Sequence, residues 1–283
     1  MRIEFCTIVL NAMPWIHHWL QQHYEFADRI IIVEGADRRF PTRNVTAGGL
    51  STDNTAYAVQ SFPDPARKIT LIQHGWCNDK AELRDRYCTE VQPGALMAVP
   101  DSDEYIPGWA MKEVAALVES RPDRLAFTLP IVHYWQPPGS IWPLGWPRSL
   151  KIVRGSYADV PHTRFFRAVE GMRYRRNHNH PELPDGCELV ARAPFRMDLQ
   201  LTGGEGGILT QQPAILHYGF CLGSVNGADK NEFYLARGEQ STRPDITQFR
   251  AAWLRGDVPA GARILDWAGG WPECFDGVRT GES

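Results

Sequence analysis

The segment ALMAVPDSDEYIP, residues 95–107, passes from a short apolar stretch directly into three carboxylates. The apolar part is typical of a short buried strand, and it stops at Pro100. Asp101 and Asp103 follow at positions i and i+2, and Glu104 comes next. Polar clusters at the ends of buried strands are typical of an open α/β sheet, where ligands bind at the carboxyl edge.

Strands alternate with helices through the first 120 residues of the sequence. Two continuous apolar stretches, RIIIV at 29–33 and residues 95–99, indicate parallel strands covered on both faces. Pro14 opens the helical pattern WIHHWLQQHYEF. The predicted strands are 3–10, 29–33, 69–72, 95–99 and 124–132. The predicted helices are 15–26, one that ends near 60 with Ser51, Thr52 or Asp53 as its cap, 78–91 with Asn78 or Asp79 as its cap, and 108–119.

The composition is that of a globular protein and carries no signal for a membrane span. The chain has 283 residues, 43% of them hydrophobic, and a formal net charge of -3, which gives no general attraction to nucleic acids or acidic membranes. Its six cysteines show no clustered spacing and predict reduced thiols in a cytoplasmic protein. No apolar stretch has the length of a signal peptide or a membrane helix.

Asp101 and Asp103 are the strongest candidates for chemistry. Two carboxylates on a loop that leaves a sheet can hold a hard divalent cation, Mg²⁺ or Mn²⁺, through oxygen ligands. Such a cation neutralises a diphosphate and stabilises it as a leaving group. The pattern therefore predicts a metal-dependent reaction of a nucleotide diphosphate.

Four segments in order resemble the GT-A glycosyltransferases close to family 2. They are TIVLNAMPWIHHWLQQH, ADRIIIVEG with STDNT, QHGWCNDKAELRDRY and AVPDSDEYIP, and a fifth, AILHYGFCLGSVNGADKNEFY, resembles a segment near the end of such domains. The resemblance implies a GT-A fold, which is an α/β fold with a mostly parallel central sheet flanked by helices. It implies a GT-A domain at 1–236, with a donor half at 1–107 and an acceptor half at 108–236, followed by a C-terminal extension at 237–283.

The resemblance also implies roles for individual residues. The nucleotide-diphosphate sugar donor, with UDP as the commonest nucleotide of the family, would be bound by Asn11, Asp53, Asn78, Lys80, Arg84, Asp101 and Lys230, with Arg86 as a further candidate. The metal would be held by Asp101, Asp103 and His217. For His217 and Lys230, a histidine at a strand end and a surface lysine are the alternative interpretations.

The sequence departs from the family pattern at two places. Ala12 follows Asn11 where the family usually has glutamate. About fifteen extra residues separate the second strand from the turn with Ser51, Asp53 and Thr55. The first departure is the feature that favours an inactive protein which binds sugars or nucleotides.

The segment YWQPPGSIWPLGWPRS, residues 134–149, predicts a long ordered loop over a site. Trp142 and Trp146, with Trp135, could stack on a sugar or acceptor, and Arg148 could hold an anionic group. A lid that packs on the sheet is the alternative. The candidates for a catalytic base are Asp198 and Glu205, although either can be a surface carboxylate, and the sequence leaves an inverting or a retaining outcome open.

The segment GMRYRRNHNHP, residues 171–181, is basic. It is either a solvated surface or a patch that steers an anionic acceptor, through Arg173, Arg175, Arg176, His178 and His180. The leading prediction is a hexosyl- or N-acetylhexosaminyltransferase acting on a glycan or another hydroxyl acceptor. The alternatives are a DNA glycosyltransferase that acts on a hydroxylated base, a nucleotidyltransferase, whose Gly-rich basic loop is missing here, and the inactive binding protein.

Overall fold

The fold is described from a computed structural model. It describes residues 1–39, 44–129, 131–135, 151–154, 162–175, 181–182, 215–220, 248, 251–252, 255–258 and 260–266. These residues fall into two compact units. The first contains the residues before 130 except Arg39, together with 162–182, and the second contains Arg39, 131–135, 151–154 and the residues from 215 onward.

The first unit alternates strands and helices, as its sequence predicts. Its elements are β1 (Ile3–Val9), α1 (Trp15–His23), β2 (Arg29–Asp37), α2 (Thr55–Gln60), β3 (Ile69–Cys77), α3 (Lys80–Cys88), β4 (Leu96–Ala98), β5 (Glu104–Tyr105), α4 (Gly108–Ser120) and β6 (Ala126–Leu129). In the second unit lie β7 (Ile131–Trp135) and β8 (Lys151–Arg154), whereas β9 (His162–Arg167) returns to the first unit. The second unit also contains β10 (Ile215–Phe220) and β11 (Arg263–Asp266).

Six strands of the first unit form one sheet in the order β3–β2–β1–β4–β9–β6. The pairs β2/β3, β1/β2 and β1/β4 are parallel. The strand β9 is antiparallel to both of its neighbours, β4 and β6. This mostly parallel sheet flanked by helices confirms the predicted α/β class.

Both faces of the central strands are covered, as their continuous apolar sequence requires. Phe5 of β1 meets the ring of Trp19 in α1 edge to face, with centroids 6.1 Å apart. The next residue, Cys6, belongs to a second cluster that includes Leu83 and Tyr87 of α3. In β2, all four residues from Ile30 to Val33 are fully buried. Burial of these apolar side chains is the main source of stability for the unit.

The strand β3 is longer than the predicted 69–72. It continues to Cys77 past a bulge, where Gly35 pairs with Gly75. A Cβ on Gly35 would lie 2.4 Å from the Gly75 carbonyl oxygen, so this close approach requires glycine. Because β3 is the edge strand of the sheet, its polar residues Gln73 and His74 need not be buried.

The predicted strand 124–132 is wrong, because it is two strands in different units. Strand β6 pairs with β9, whereas β7 pairs with β8 and β10. Pro130, which lies between them in the sequence, has no backbone N–H to donate to a ladder. Tyr134 and Trp135 belong to β7 and not to the aromatic loop predicted from 134.

The helix termini were predicted in part. Asp79 caps α3, and its carboxylate accepts a hydrogen bond from the Ala81 N–H. The predicted cap of α2 is wrong, because Asn54 occupies that position with a left-handed backbone and no capping hydrogen bond from its side chain. In the second unit the strands lie in the order β11–β8–β7–β10, with β7 and β10 parallel.

Candidate functional site

The strand order reverses between β1 and β4. From β1 the chain moves to β2 on one side, and β4 lies on the other side of β1. In open α/β sheets, loops that leave two such strands in opposite directions open a crevice at the carboxyl edge, and ligands bind there. Asn11 follows β1 and Asp101 follows β4. Two of the predicted donor residues, Asn11 and Asp101, therefore lie in the loops at this edge.

Asn11 joins the loop after β1 to the turn at 51–55. Its backbone N–H donates to the Ser51 hydroxyl at 2.9 Å, and its side-chain oxygen accepts from the Thr52 N–H at 2.9 Å. The side-chain amide donates to the Asn44 carbonyl at 2.6 Å. The residue adopts a left-handed backbone, with φ of 49°, which asparagine tolerates better than most residues. Asn11 therefore organises the candidate donor loop from within.

Asp53 completes the same arrangement from the other side. One carboxylate oxygen accepts from the Met13 N–H at 2.9 Å. The other accepts from the Thr55 N–H at 3.1 Å and the Thr55 hydroxyl at 2.6 Å. The Thr55 hydroxyl in turn accepts from the Ala12 N–H at 2.8 Å. The structure thus brings Asp53 to the loop that carries Asn11, despite the inserted residues between β2 and this turn.

Asp101 is held by two arginines from different elements. Arg84 of α3 donates to one carboxylate oxygen at 2.8 Å, and Arg164 of β9 donates to the other at 2.9 Å. Arg164 also makes a two-point contact with Glu104, at 2.6 and 2.7 Å. The Asp101 side chain is 40% exposed, whereas the side chains of Arg84, Arg164 and Glu104 are buried. Asp101 is therefore the accessible end of a buried charge network.

Both arginines keep their positive charge. Burial opposes the charge on Arg84, but the nearby Tyr87 and Asp101 outweigh burial, and the pKa of Arg84 is raised. Burial likewise opposes the charge on Arg164, and Glu104 and Asp101 raise its pKa well above the usual range. Burial also raises the pKa of Tyr87, to about 12, so the phenol that accepts from Arg84 at 3.2 Å stays neutral.

Asp103 is the more enclosed of the two aspartates, at 8% exposure. It lies in a tight turn, in which the Glu104 N–H donates to the Asp101 carbonyl at 2.9 Å. Carboxylate oxygens are the ligands that Mg²⁺ and Mn²⁺ prefer. The chemistry of these residues fits a divalent cation. Among the described residues, no group of three or more His, Cys, Asp or Glu side chains is arranged to hold a metal.

The other donor candidates lie on α3 or next to its start. Arg84 faces Asp101, whereas Arg86 is exposed on the helix. The Asn78 amide donates to Glu82 at 3.2 Å, next to the start of the helix. Lys80 is the first residue of α3 and is partly exposed. Of these candidates, Arg84 contacts Asp101.

His217 pairs with another histidine within the second unit. His217 of β10 and His133 of β7 are register partners, and their Nδ1 atoms lie 2.6 Å apart. At that distance one ring carries a proton on Nδ1 and the other accepts it. The rings meet at 85°, and the neighbouring rings of Tyr134 and Tyr218 are stacked with centroids 4.6 Å apart. His133 was not predicted from the sequence as a site residue.

The first part of the basic segment is bound to α3 by an ion pair. Arg173 forms a two-point ion pair with Asp85 of α3, with its Nε at 2.7 Å, and the Tyr174 N–H donates to the same carboxylate at 3.0 Å. Arg175 is exposed. The pairing of Arg173 gives it a structural role.

Several predicted residues lie outside the described part of the chain. They are the candidate bases Asp198 and Glu205, the donor candidate Lys230, the acceptor candidates Trp142, Trp146 and Arg148, and Arg176, His178 and His180 of the basic segment. The roles assigned to them stay predictions.

Arg164 and Glu34 belong to the candidate site, and the sequence alone did not indicate them. Glu34 accepts from the Ser51 N–H at 2.9 Å and from the Gln73 amide at 3.0 Å, so it links the turn at 51–55 to strand β3. Each is a charged residue within a strand that is otherwise largely buried, and that contrast is the signal that could have identified them.

Comparison with known proteins gives little further guidance. No protein-family model and no curated protein matches the sequence. Among solved structures, S. aureus TarS residues 1–349 is 16% identical with a TM-score of 0.32, covering 53% of this chain and 39% of that one. A second TarS structure is 17% identical, with a TM-score of 0.31 and coverage of 53% and 24%. Mannose-6-phosphate isomerase from Helicobacter pylori is 12% identical, with a TM-score of 0.31 and coverage of 60% and 62%.

These similarities are distant. In each case the matched region spans less than two-thirds of the solved chain, and TM-scores this low do not establish a common fold. Among the described residues, no helix is long and apolar enough to cross a membrane.

Proposed function

We propose that this chain is a metal-dependent glycosyltransferase that moves a sugar from a nucleotide-diphosphate donor, UDP in the first instance, to a hydroxyl acceptor. The observation that carries the proposal is the position of Asp101 and Asp103 directly after β4, where the strand order reverses. A crevice of this kind suits a nucleotide. The resemblance of the four N-terminal segments to GT-A enzymes gives the reaction class.

The donor nucleotide would lie against the loop after β1 and the turn at 51–55. Hydrogen bonds join the loops, including those from the Thr52 N–H to Asn11 and from the Met13 N–H to Asp53. They support this assignment, because they hold the two loops in a fixed arrangement before a ligand arrives. Preorganised loops lose less conformational freedom on binding. Asp53 retains acceptor capacity on its Oδ2 atom for a hydroxyl or base N–H of the nucleotide.

The diphosphate would lie near Asp101 and Asp103. These residues are the proposed ligands of Mn²⁺ or Mg²⁺, and the role of His217 as a further ligand stays a prediction from the sequence. When bound, the cation supplies Lewis-acid stabilisation of the departing nucleotide diphosphate. Asp101 would be oriented for this task by its two arginines, and the charge of Arg84 would add to the attraction for the phosphates.

The acceptor half of the proposal depends on residues that remain predictions. Trp142, Trp146 and Arg148 would contact the acceptor, Asp198 or Glu205 would be the base, and Lys230 would contact the donor phosphates. A glycan is the acceptor that the family resemblance favours. The ion pair between Arg173 and Asp85 weighs against the basic segment as a surface for DNA.

The test is hydrolysis of a panel of UDP-, GDP- and dTDP-sugars, with and without Mn²⁺. We expect one donor class to be hydrolysed only with the cation, and the rate to fall by about 100-fold in Asp103→Asn, since one placed charge-stabilising group is worth that much. The matched control is Asp123→Asn, an exposed aspartate beside Arg121 and Arg124, which should leave the rate unchanged. Hydrolysis at the wild-type rate in Asp103→Asn, or hydrolysis that does not need the metal, would contradict the proposal.

A further inference from the structure

Arg164 is anchored next to the end of β4 by the main chain. Its carbonyl oxygen accepts from the Val99 N–H at 2.7 Å, and the next residue, Phe165, is the register partner of Ala98. Only Pro100 separates Val99 from Asp101. The backbone of β9 therefore places the Arg164 side chain within reach of the carboxylates that follow β4.

The guanidinium uses its planar geometry to join two carboxylates. Its Nε and Nη2 atoms contact the two oxygens of Glu104 at 2.6 and 2.7 Å, and Nη2 also donates to Asp101 at 2.9 Å. A fork of this kind fixes both the distance and the plane of its partners. Lysine carries the same charge on a single nitrogen and cannot reproduce the arrangement.

Asp101 and Glu104 carry like charges, and a hydrogen bond between them keeps them close. The Asp101 N–H donates to the Glu104 oxygen at 3.0 Å. The compensating charge of Arg164 makes this proximity possible, because two carboxylates that share a site otherwise repel each other. Arg84 holds the other Asp101 oxygen, so the Asp101 carboxylate is fixed from two sides.

We infer that Arg164 is a positioning residue for the donor site, which fixes the orientation of Asp101 by direct contact and through Glu104. Its own side chain is 8% exposed, whereas that of Asp101 is 40% exposed, so Arg164 acts on a ligand through Asp101. This inference rests on the proposed function, since it takes Asp101 to be a residue that meets the metal–diphosphate group.

The experiment measures the affinity of the full chain for nucleotide diphosphates in the presence of Mn²⁺, by isothermal titration calorimetry. The probes are UDP, GDP, ADP, CDP and dTDP, and the variants are Arg164→Lys, the double variant Arg164→Met with Glu104→Gln, and Arg167→Lys. The double variant removes both Arg164 and Glu104, so neither charge of this buried pair is left without the other. It still allows the inference to be tested if Arg164→Lys folds poorly. Thermal unfolding establishes that each variant is folded.

We expect Arg164→Lys and the double variant to bind the diphosphate about 10–100-fold more weakly than wild type, the loss typical of groups that orient a ligand-binding residue. Arg167→Lys should bind as wild type does, because Arg167 lies on the same strand but donates to the Val118 carbonyl of α4. A purely structural role predicts lower unfolding temperatures with unchanged affinity.

The outcomes separate the two claims. If wild type binds a diphosphate and the folded Arg164 variants bind it equally well, the positioning role is overturned while the proposed function stands. If Arg164→Lys alone binds as wild type does, charge is sufficient and the geometric role is overturned. If wild type binds none of the diphosphates with Mn²⁺, the proposed function fails and this inference fails with it.

Discussion

Arg164 and Glu104 form a buried ion pair, and such pairs seldom add net stability, because each charge loses its hydration. Well-packed apolar residues would serve a purely structural purpose at least as well. Here the pair lies beside the partly exposed carboxylate of Asp101. Its cost is more readily explained by the fixed orientation that it gives to that carboxylate.

His23 is a second buried polar residue, and it makes stability depend on pH. Its ring is fully buried, stacks on Phe5 with centroids 4.6 Å apart, and accepts from the Ile106 N–H at 3.1 Å. Burial lowers the pKa of His23 to about 3. The unfolded chain takes up a proton near pH 6.5, whereas the folded chain does not, so stability falls as pH decreases from 6.5 toward 3.

We expect His23 to account for about 2 kcal/mol of the stability lost between pH 7 and pH 5. Urea unfolding of wild type and His23→Gln at both pH values measures this, because glutamine can accept from Ile106 but does not titrate. His74→Gln, at an exposed position of β3, is the control and should keep the wild-type pH dependence. An equal loss in wild type and His23→Gln would show that His23 is not the group responsible.

Among single residues, the sequence allowed candidates for chemistry to be predicted from their type and position. Asp101 could be proposed because it follows a buried strand, whereas Asn11, Asp53 and Arg84 were proposed from the resemblance to GT-A glycosyltransferases. Arg164 could not, because its role depends on β9 lying next to β4, a pairing of residues more than sixty positions apart. Likewise, His133 could not be proposed, because its contact with His217 depends on the register of β7 and β10.

The helix α3 connects local structure to the candidate site. Its capping aspartate fixes the N-terminus, and Arg84 and Tyr87, three residues apart, lie on one buried face. Arg86 lies on the opposite, exposed side. The position of Arg84 at Asp101 thus depends on where the helix begins.

Asp79→Ala should lower the free energy of unfolding by about 1 kcal/mol, because the Ala81 N–H loses its capping acceptor. Asp79→Ser is the matched variant and should retain most of that stability, since serine is an equally good cap. Urea denaturation of the two variants and wild type gives the comparison. Equal stability of the alanine and serine variants would mean that the cap contributes nothing here.

Elements with a strong periodic or apolar pattern were predicted well, and those that depend on distant pairing were not. The strand β2 and the helices α1, α3 and α4 follow from local sequence. The β3 extension past Gly75 and the division of 124–132 between two units do not, because an edge position and a change of sheet are properties of the tertiary structure.

For the whole molecule, the alternation of strands and helices predicted the α/β class, and the parallel part of the sheet follows from it. The insertion of the antiparallel β9 between β4 and β6 was not predicted, because β9 pairs with residues of β4 that are more than sixty positions away in the sequence. That insertion completes the candidate site, since it delivers Arg164 to Asp101.

The central claim is that a nucleotide diphosphate and a divalent cation bind at the carboxyl edge of β1 and β4. Hydrogen–deuterium exchange of the full chain, with and without UDP and Mn²⁺, locates the bound nucleotide most directly. The account predicts slower exchange of backbone amides at 10–13, 51–55 and 101–104, and no such change when Mn²⁺ is omitted. Binding of UDP with unchanged exchange in all three segments would contradict it.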